Sequence, residues 1–128
     1  MNILLDTHAV IWYSMAAERL TGRVLAAIDS TSNAIYLSQV SIWEMQIKQS
    51  IGKLELPVSV REFVEFQIVN NDFTLLQIHN EALWQLESLP RIHRDPFDRL
   101  LVCQAQCDDL TLITADRHIP KYDVATLW

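Results

Sequence analysis

A chain of 128 residues, half of them hydrophobic, has the size of one ordinary soluble domain and is long enough to bury roughly two thirds of its unfolded surface. Its net charge of −6 argues against holding nucleic acid by bulk electrostatics, though it leaves room for acids gathered at one metal-bridged site. Gly22 and Gly52 are the only glycines, which excludes the Gly-rich dinucleotide fingerprint and the phosphate-cradling loop, because both need several glycines for close backbone approach.

Asn2 to Leu5 form a short apolar strand that stops at Asp6-Thr7-His8, and Ala9 to Met15 follows as a helix or helical turn. Asp6 and His8 interrupt the apolar run and no basic residue precedes it, so the start reads as neither membrane span nor secretory signal. A single cytoplasmic domain over residues 1–128 is the expectation. Glu18 to Ser30 reads as a helix with Leu20, Val24, Leu25 and Ile28 inward, and Asn33 marks a turn before a second strand, Ile35 to Ser38. From Val40 to Ile51 a helix places Val40, Trp43, Ile47 and Ile51 close to one line, with Glu44 at the edge of that stripe. Ser41 and Glu44 also have the spacing of a capping box. Ile42 and Met45 point elsewhere, which predicts a helix covered on two sides, one of them by a partner chain.

Gly52 to Pro57 is a turn and short extended segment, Ser59 caps a helix through about Val69, and Thr74 to Ile78 is a third strand. Glu81 to Leu89 forms a short helix ended by Pro90, and Arg91, His93, Arg94 and Arg99 make the surroundings of the next helix locally basic. That helix begins at Asp95, a good N-cap, with Pro96 at the first position and no Gly or Pro from Phe97 to Cys107. Asp98 precedes Leu101, Val102 and Ala105 at i+3, i+4 and i+7, which sets its carboxylate on or beside an apolar stripe, although an acid there also suits the helix N-terminus. Cys103 and Cys107 have no zinc spacing and read as small core residues. Leu110 to Thr114 is a fourth strand that ends on Asp116, and Val124 to Leu127 closes the chain.

Strands alternating with helices, without two-residue hairpin signals, predict an α/β domain with a mainly parallel central sheet, where ligands sit beyond the strand carboxyl ends. Asp6 and Asp116 fall there, and Glu44 and Asp98 lie on helices. Four converging carboxylates repel one another and raise each other's pKa unless a cation sits among them, and magnesium or manganese suits oxygen donors best. The reaction so implied is phosphodiester hydrolysis. His8, His79, His93 and His118 lack a matched nucleophile by spacing; His8 reads as packed, or as a neighbour of Asp6. Thr7 and Thr114 either orient water beside an acid or cap the next turn.

Leu5-Asp6-Thr7-His8-Ala9, Ser41-Ile42-Trp43-Glu44 with Ile47-Lys48 and Gly52-Lys53-Leu54, the Asp95 to Ala105 stretch, and Leu112-Ile113-Thr114-Ala115-Asp116 together resemble a PIN-domain protein, and more narrowly the VapC-type toxins of toxin-antitoxin pairs. The likeness spans essentially the whole chain, with the motifs in order. It implies a three-layer α/β/α fold and a magnesium- or manganese-dependent ribonuclease, usually a homodimer, inhibited by an antitoxin that covers the acidic pocket. Carried onto this sequence, Asp6, Glu44 and Asp98 match the three core acids and Asp116 the more variable fourth. Asp108-Asp109 departs from the pattern, which usually has a turn glycine before the fourth strand. A haloacid-dehalogenase-type phosphatase would need an acid where His8 stands, and a receiver domain an acid near Ile78-His79-Asn80. A catalytically inactive PIN-like module that binds RNA or a partner is the alternative from a non-enzyme class, and the presence of all four acids weighs against it.

Overall fold

The computed structural model describes residues 1–128. Five strands, β1 (Asn2–Leu5), β2 (Ala34–Ser38), β3 (Thr74–Leu76), β4 (Thr111–Ile113) and β5 (Thr126–Leu127), form one sheet in the order β3-β2-β1-β4-β5. Every pairing is parallel, with Ile3 opposite Ile35 on one side and Thr111 on the other. Six α-helices connect them: α1 (Thr7–Met15), α2 (Gly22–Asp29), α3 (Gln39–Ser50), α4 (Val60–Asn70), α5 (Asn80–Gln85) and α6 (Pro96–Asp108).

Alternation along the strands divides the core between the two sheet faces. Ile3, Leu5, Ile35, Leu37 and Ile113 pack with Val10 of α1, Val24 and Ile28 of α2, and Phe63 and Val64 of α4. Leu4, Leu76 and Leu112 pack with Ala82 of α5 and with Leu101, Val102 and Ala105 of α6. Helices thus cover both faces, and the three-layer expectation holds. No helix is long and apolar enough to cross a membrane.

Local chemistry explains where the elements differ from the sequence reading. The helix expected over 18–30 is divided. Thr21 caps α2 by accepting from the Val24 amide at 3.1 Å, so Ala17–Arg19 forms a separate 3-10 turn and Leu20 takes extended geometry between them. On α3 the buried residues are Val40, Ser41, Glu44 and Met45, while Trp43, Ile47 and Ile51 are exposed at 53%, 36% and 58%. The inward face therefore carries polar groups, and an apolar count selects the wrong side. The N-cap of α3 is Ser38, which accepts from the Val40 amide at 2.9 Å, so Ser41 and Glu44 form no capping box. Ser38 also donates to Gln104 of α6, whose amide donates to the Gln77 carbonyl at 3.2 Å and ties the end of β2 to both neighbouring segments. Asp109, where a glycine is usual, adopts the left-handed conformation (φ 53°) that closes α6. Of the two cysteines, Cys103 is buried and Cys107 exposed.

Candidate active site

The chain leaves β1 toward one side of the sheet and β4 toward the other, so the β1/β4 boundary is the place where strand order reverses, the position at which open parallel sheets hold ligands beyond the carboxyl ends. Asp6 follows β1 there and Asp116 follows β4. Asp6 is only 5% exposed and caps α1, its Oδ1 accepting from the Ala9 amide at 2.8 Å. Burial raises its pKa and the Glu44 charge adds to this, against the Thr114 hydroxyl and the Ala9 amide, which favour the carboxylate.

Glu44 is 2% exposed, and its two oxygens have separate partners. The Thr7 hydroxyl lies 2.6 Å from Oε1 and 2.9 Å from the Ser41 hydroxyl. The Lys48 ammonium, one turn along α3, pairs with Oε2. Burial works against the charge on Lys48, yet the Glu44 carboxylate and the fields of Asp95 and Asp98 outweigh it and raise its pKa. Thr7, read from sequence as a cap or a water-orienting residue, instead joins α1 to α3 through Glu44.

Asp98 enters from the first turn of α6. Asp95 caps this helix, accepting from the amides of Phe97 at 2.8 Å and Asp98 at 3.1 Å. Burial pushes the Asp98 pKa up to about 8, helped by the charges of Asp95, Asp6, Glu44 and Asp116. Asp116 has the opposite shift. Burial opposes its charge, but the His118 amide at 2.7 Å, the Ile119 amide at 3.1 Å and the His93 ring stabilise the carboxylate and lower its pKa.

His93 connects these two acids. Its Nε2 lies 3.1 Å from Asp98 Oδ2 and 3.0 Å from Asp116 Oδ2, and its Nδ1 accepts from the Asp95 amide at 3.1 Å. A nitrogen that accepts from an amide carries no proton of its own in the neutral ring, so the ring proton is on Nε2 and faces both carboxylates. His93, Asp98 and Asp116 are the group whose donor atoms all lie within 4.8 Å of one another. Asp6 and Glu44 belong to the same crevice by charge but keep their own partners. The sequence reading assigned His93 only to a basic loop; the available signal was its place two residues before a helix-capping aspartate.

The donor set fits a hard divalent cation. Asp98 is raised first by burial and then by the charges of Asp95, Asp6, Glu44 and Asp116, so the carboxylates gathered here act on one another. Carboxylate oxygens are the ligands that magnesium and manganese prefer.

Solved structures with a similar fold include a chain of VapBC2 from Rickettsia felis, in a complex bound to a promoter DNA fragment, at TM-score 0.74 and 12% identity over 99% of this chain and 98% of that one. FitAcB from Neisseria gonorrhoeae gives TM-score 0.66 and 22% identity over 100% and 97% of the two chains. FitAB bound to an IR36 DNA fragment gives TM-score 0.68 and 20% identity over 99% and 94%. None of the curated proteins matches the chain by sequence. The family model of the PIN domain matches residues 3–125, and the chain therefore belongs to the PIN-domain family.

Proposed function

We propose that the chain is a metal-dependent endoribonuclease and the toxin of a toxin-antitoxin pair, with Asp6, Glu44, Asp98 and Asp116 holding magnesium or manganese. The observation that carries this reading is the cluster of Asp98 and Asp116 on His93, with Asp6 and Glu44 near enough to act on Asp98 by charge, at the reversal point of a parallel sheet in a PIN domain. The VapBC2 and FitAB assemblies, each with a chain of similar fold, support an antitoxin as partner, and the proposal has it cover the acidic site. A homodimer is part of the proposal, as is action in the cytoplasm.

When bound, a divalent ion acidifies water and neutralises the charge that gathers on phosphoryl oxygens during in-line displacement. The chain's own residues prepare that site. Asp6 is held by the first turn of α1 and Glu44 by Thr7 and Lys48, so both buried carboxylates have fixed orientations. The Nε2 proton of His93 aligns Asp98 and Asp116 and so holds α6 against the segment after β4. Lys48 keeps a positive charge on the wall of the crevice, where it can meet a phosphate oxygen.

The test is cleavage of total cellular RNA by the purified protein, freed of any copurifying partner, in magnesium or manganese. Discrete fragments that disappear with chelator and in Asp98→Asn are the expected result. Folded protein that binds neither metal nor releases fragments would overturn the reading in favour of an inactive binding module.

A further inference from the structure

Arg91, His93, Arg94 and Arg99 line a concavity that has no acidic and no apolar side chain in its wall. In a chain of net charge −6, three guanidinium groups around one hollow concentrate positive potential at a single place. Arg99 is its fixed wall. Its guanidinium donates to the Pro90 carbonyl at 2.9 Å and to the Leu89 carbonyl and the Tyr122 hydroxyl, both at 3.4 Å, and so shapes the loop that precedes α6. Arg91 and Arg94 are exposed on that loop, and neither takes part in an ion pair within the chain. His93 is shared: its ring lines the hollow while Nε2 touches Asp98 and Asp116, so the hollow opens directly beside the candidate catalytic acids.

Unpaired arginines present planar forks that match phosphate oxygens two at a time, and these line a hollow that shares His93 with Asp98 and Asp116. We propose that this hollow is a subsite for a backbone phosphate of the RNA strand, next to the one undergoing hydrolysis, with Arg91 and Arg94 as its mobile donors and Arg99 as its fixed support. The assignment rests on the ribonuclease reading above. It also accounts for how an acidic protein holds a polyanion: the positive charge is local.

The test uses the full chain carrying Asp98→Asn, which prevents turnover, with a fluorescein-labelled single-stranded RNA oligonucleotide in magnesium buffer, read by anisotropy. Arg91→Ala and Arg94→Ala are each expected to weaken binding about five- to tenfold and to lower the salt slope by about 0.7, as loss of one phosphate contact requires. Arg→Lys at either position should restore the salt slope and part of the affinity. Melting temperature should not move, because both side chains are exposed and unpaired. An unchanged affinity and slope in the double alanine variant would overturn the proposal. So would arginine-dependent binding of polyglutamate alongside arginine-independent binding of RNA, which would assign the hollow to an acidic protein segment. With Asp98 intact, cleavage at unchanged KM in the arginine variants would remove the subsite and leave the nuclease; arginine-dependent RNA binding without any metal-dependent cleavage would do the reverse.

Discussion

Burial, with other acids close by, pushes the Asp98 carboxyl up to about 8 in the metal-free protein, from an ordinary value of 3.8. Between these two values the folded state binds the proton that the unfolded state releases, so stability falls as pH rises through the window from about 4 to about 8. In chelator, urea unfolding of the wild type should therefore show a loss on the order of 1–3 kcal/mol between pH 5 and pH 8, discounted for the partial exposure of the side chain. Asp98→Asn should flatten that profile and be the more stable protein at pH 8, while losing the stabilisation that added manganese gives the wild type. His93 makes the second prediction at this scale. His93→Ala removes the proton shared by Asp98 and Asp116, and should cost about 10- to 100-fold in manganese affinity, measured by calorimetric titration, or in kcat, whereas His93→Gln, whose amide still donates, should keep part of both. An alanine variant that kept both in full would show that the two acids need no alignment.

The ends of the helices decide how the acids are presented. Ser38 both caps α3 and donates to Gln104 inside the core, so Ser38→Ala removes a cap and leaves a buried amide oxygen without its donor. The expected loss is about 2 to 3 kcal/mol in urea unfolding, well above that of an exposed cap. At the other end of α6, Asp109 occupies a left-handed conformation that glycine adopts without a Cβ penalty. Asp109→Gly should raise stability by about 0.5 to 1 kcal/mol without changing the crevice, since Asp109 is exposed and lies at the far end of the helix from Asp98.

For the molecule as a whole, the exposed row Trp43, Ile47 and Ile51 on α3 is the face that the proposed homodimer can cover. Trp43 already stacks edge-on against Phe97 of α6 at 5.0 Å, which gives this face a rigid aromatic border close to the crevice. Light scattering after chromatography should give twice the chain mass at micromolar concentration, and Ile51→Glu should move the protein to the monomer mass with its melting transition intact. A wild type that elutes as a monomer would refute the dimer.

Local patterning was enough for the alternation of strands and helices, for the acids at the ends of β1 and β4, and for the start of α6 at Asp95-Pro96, because each depends on a few adjacent residues. The face of α3 was not legible in the same way. Trp43, Ile47 and Ile51 follow helical spacing as well as any core stripe, and only the tertiary contact of Thr7 on α1 with Ser41 and Glu44 shows which face of α3 is inward. Nor could spacing place His93 between Asp98 and Asp116, since the two acids come from α6 and from the segment after β4 and meet only when the sheet is assembled. Sequence neighbours determine which residues can cap, turn and extend; the order of strands across the sheet decided which of them share a site, because that order brings together groups that no local pattern connects.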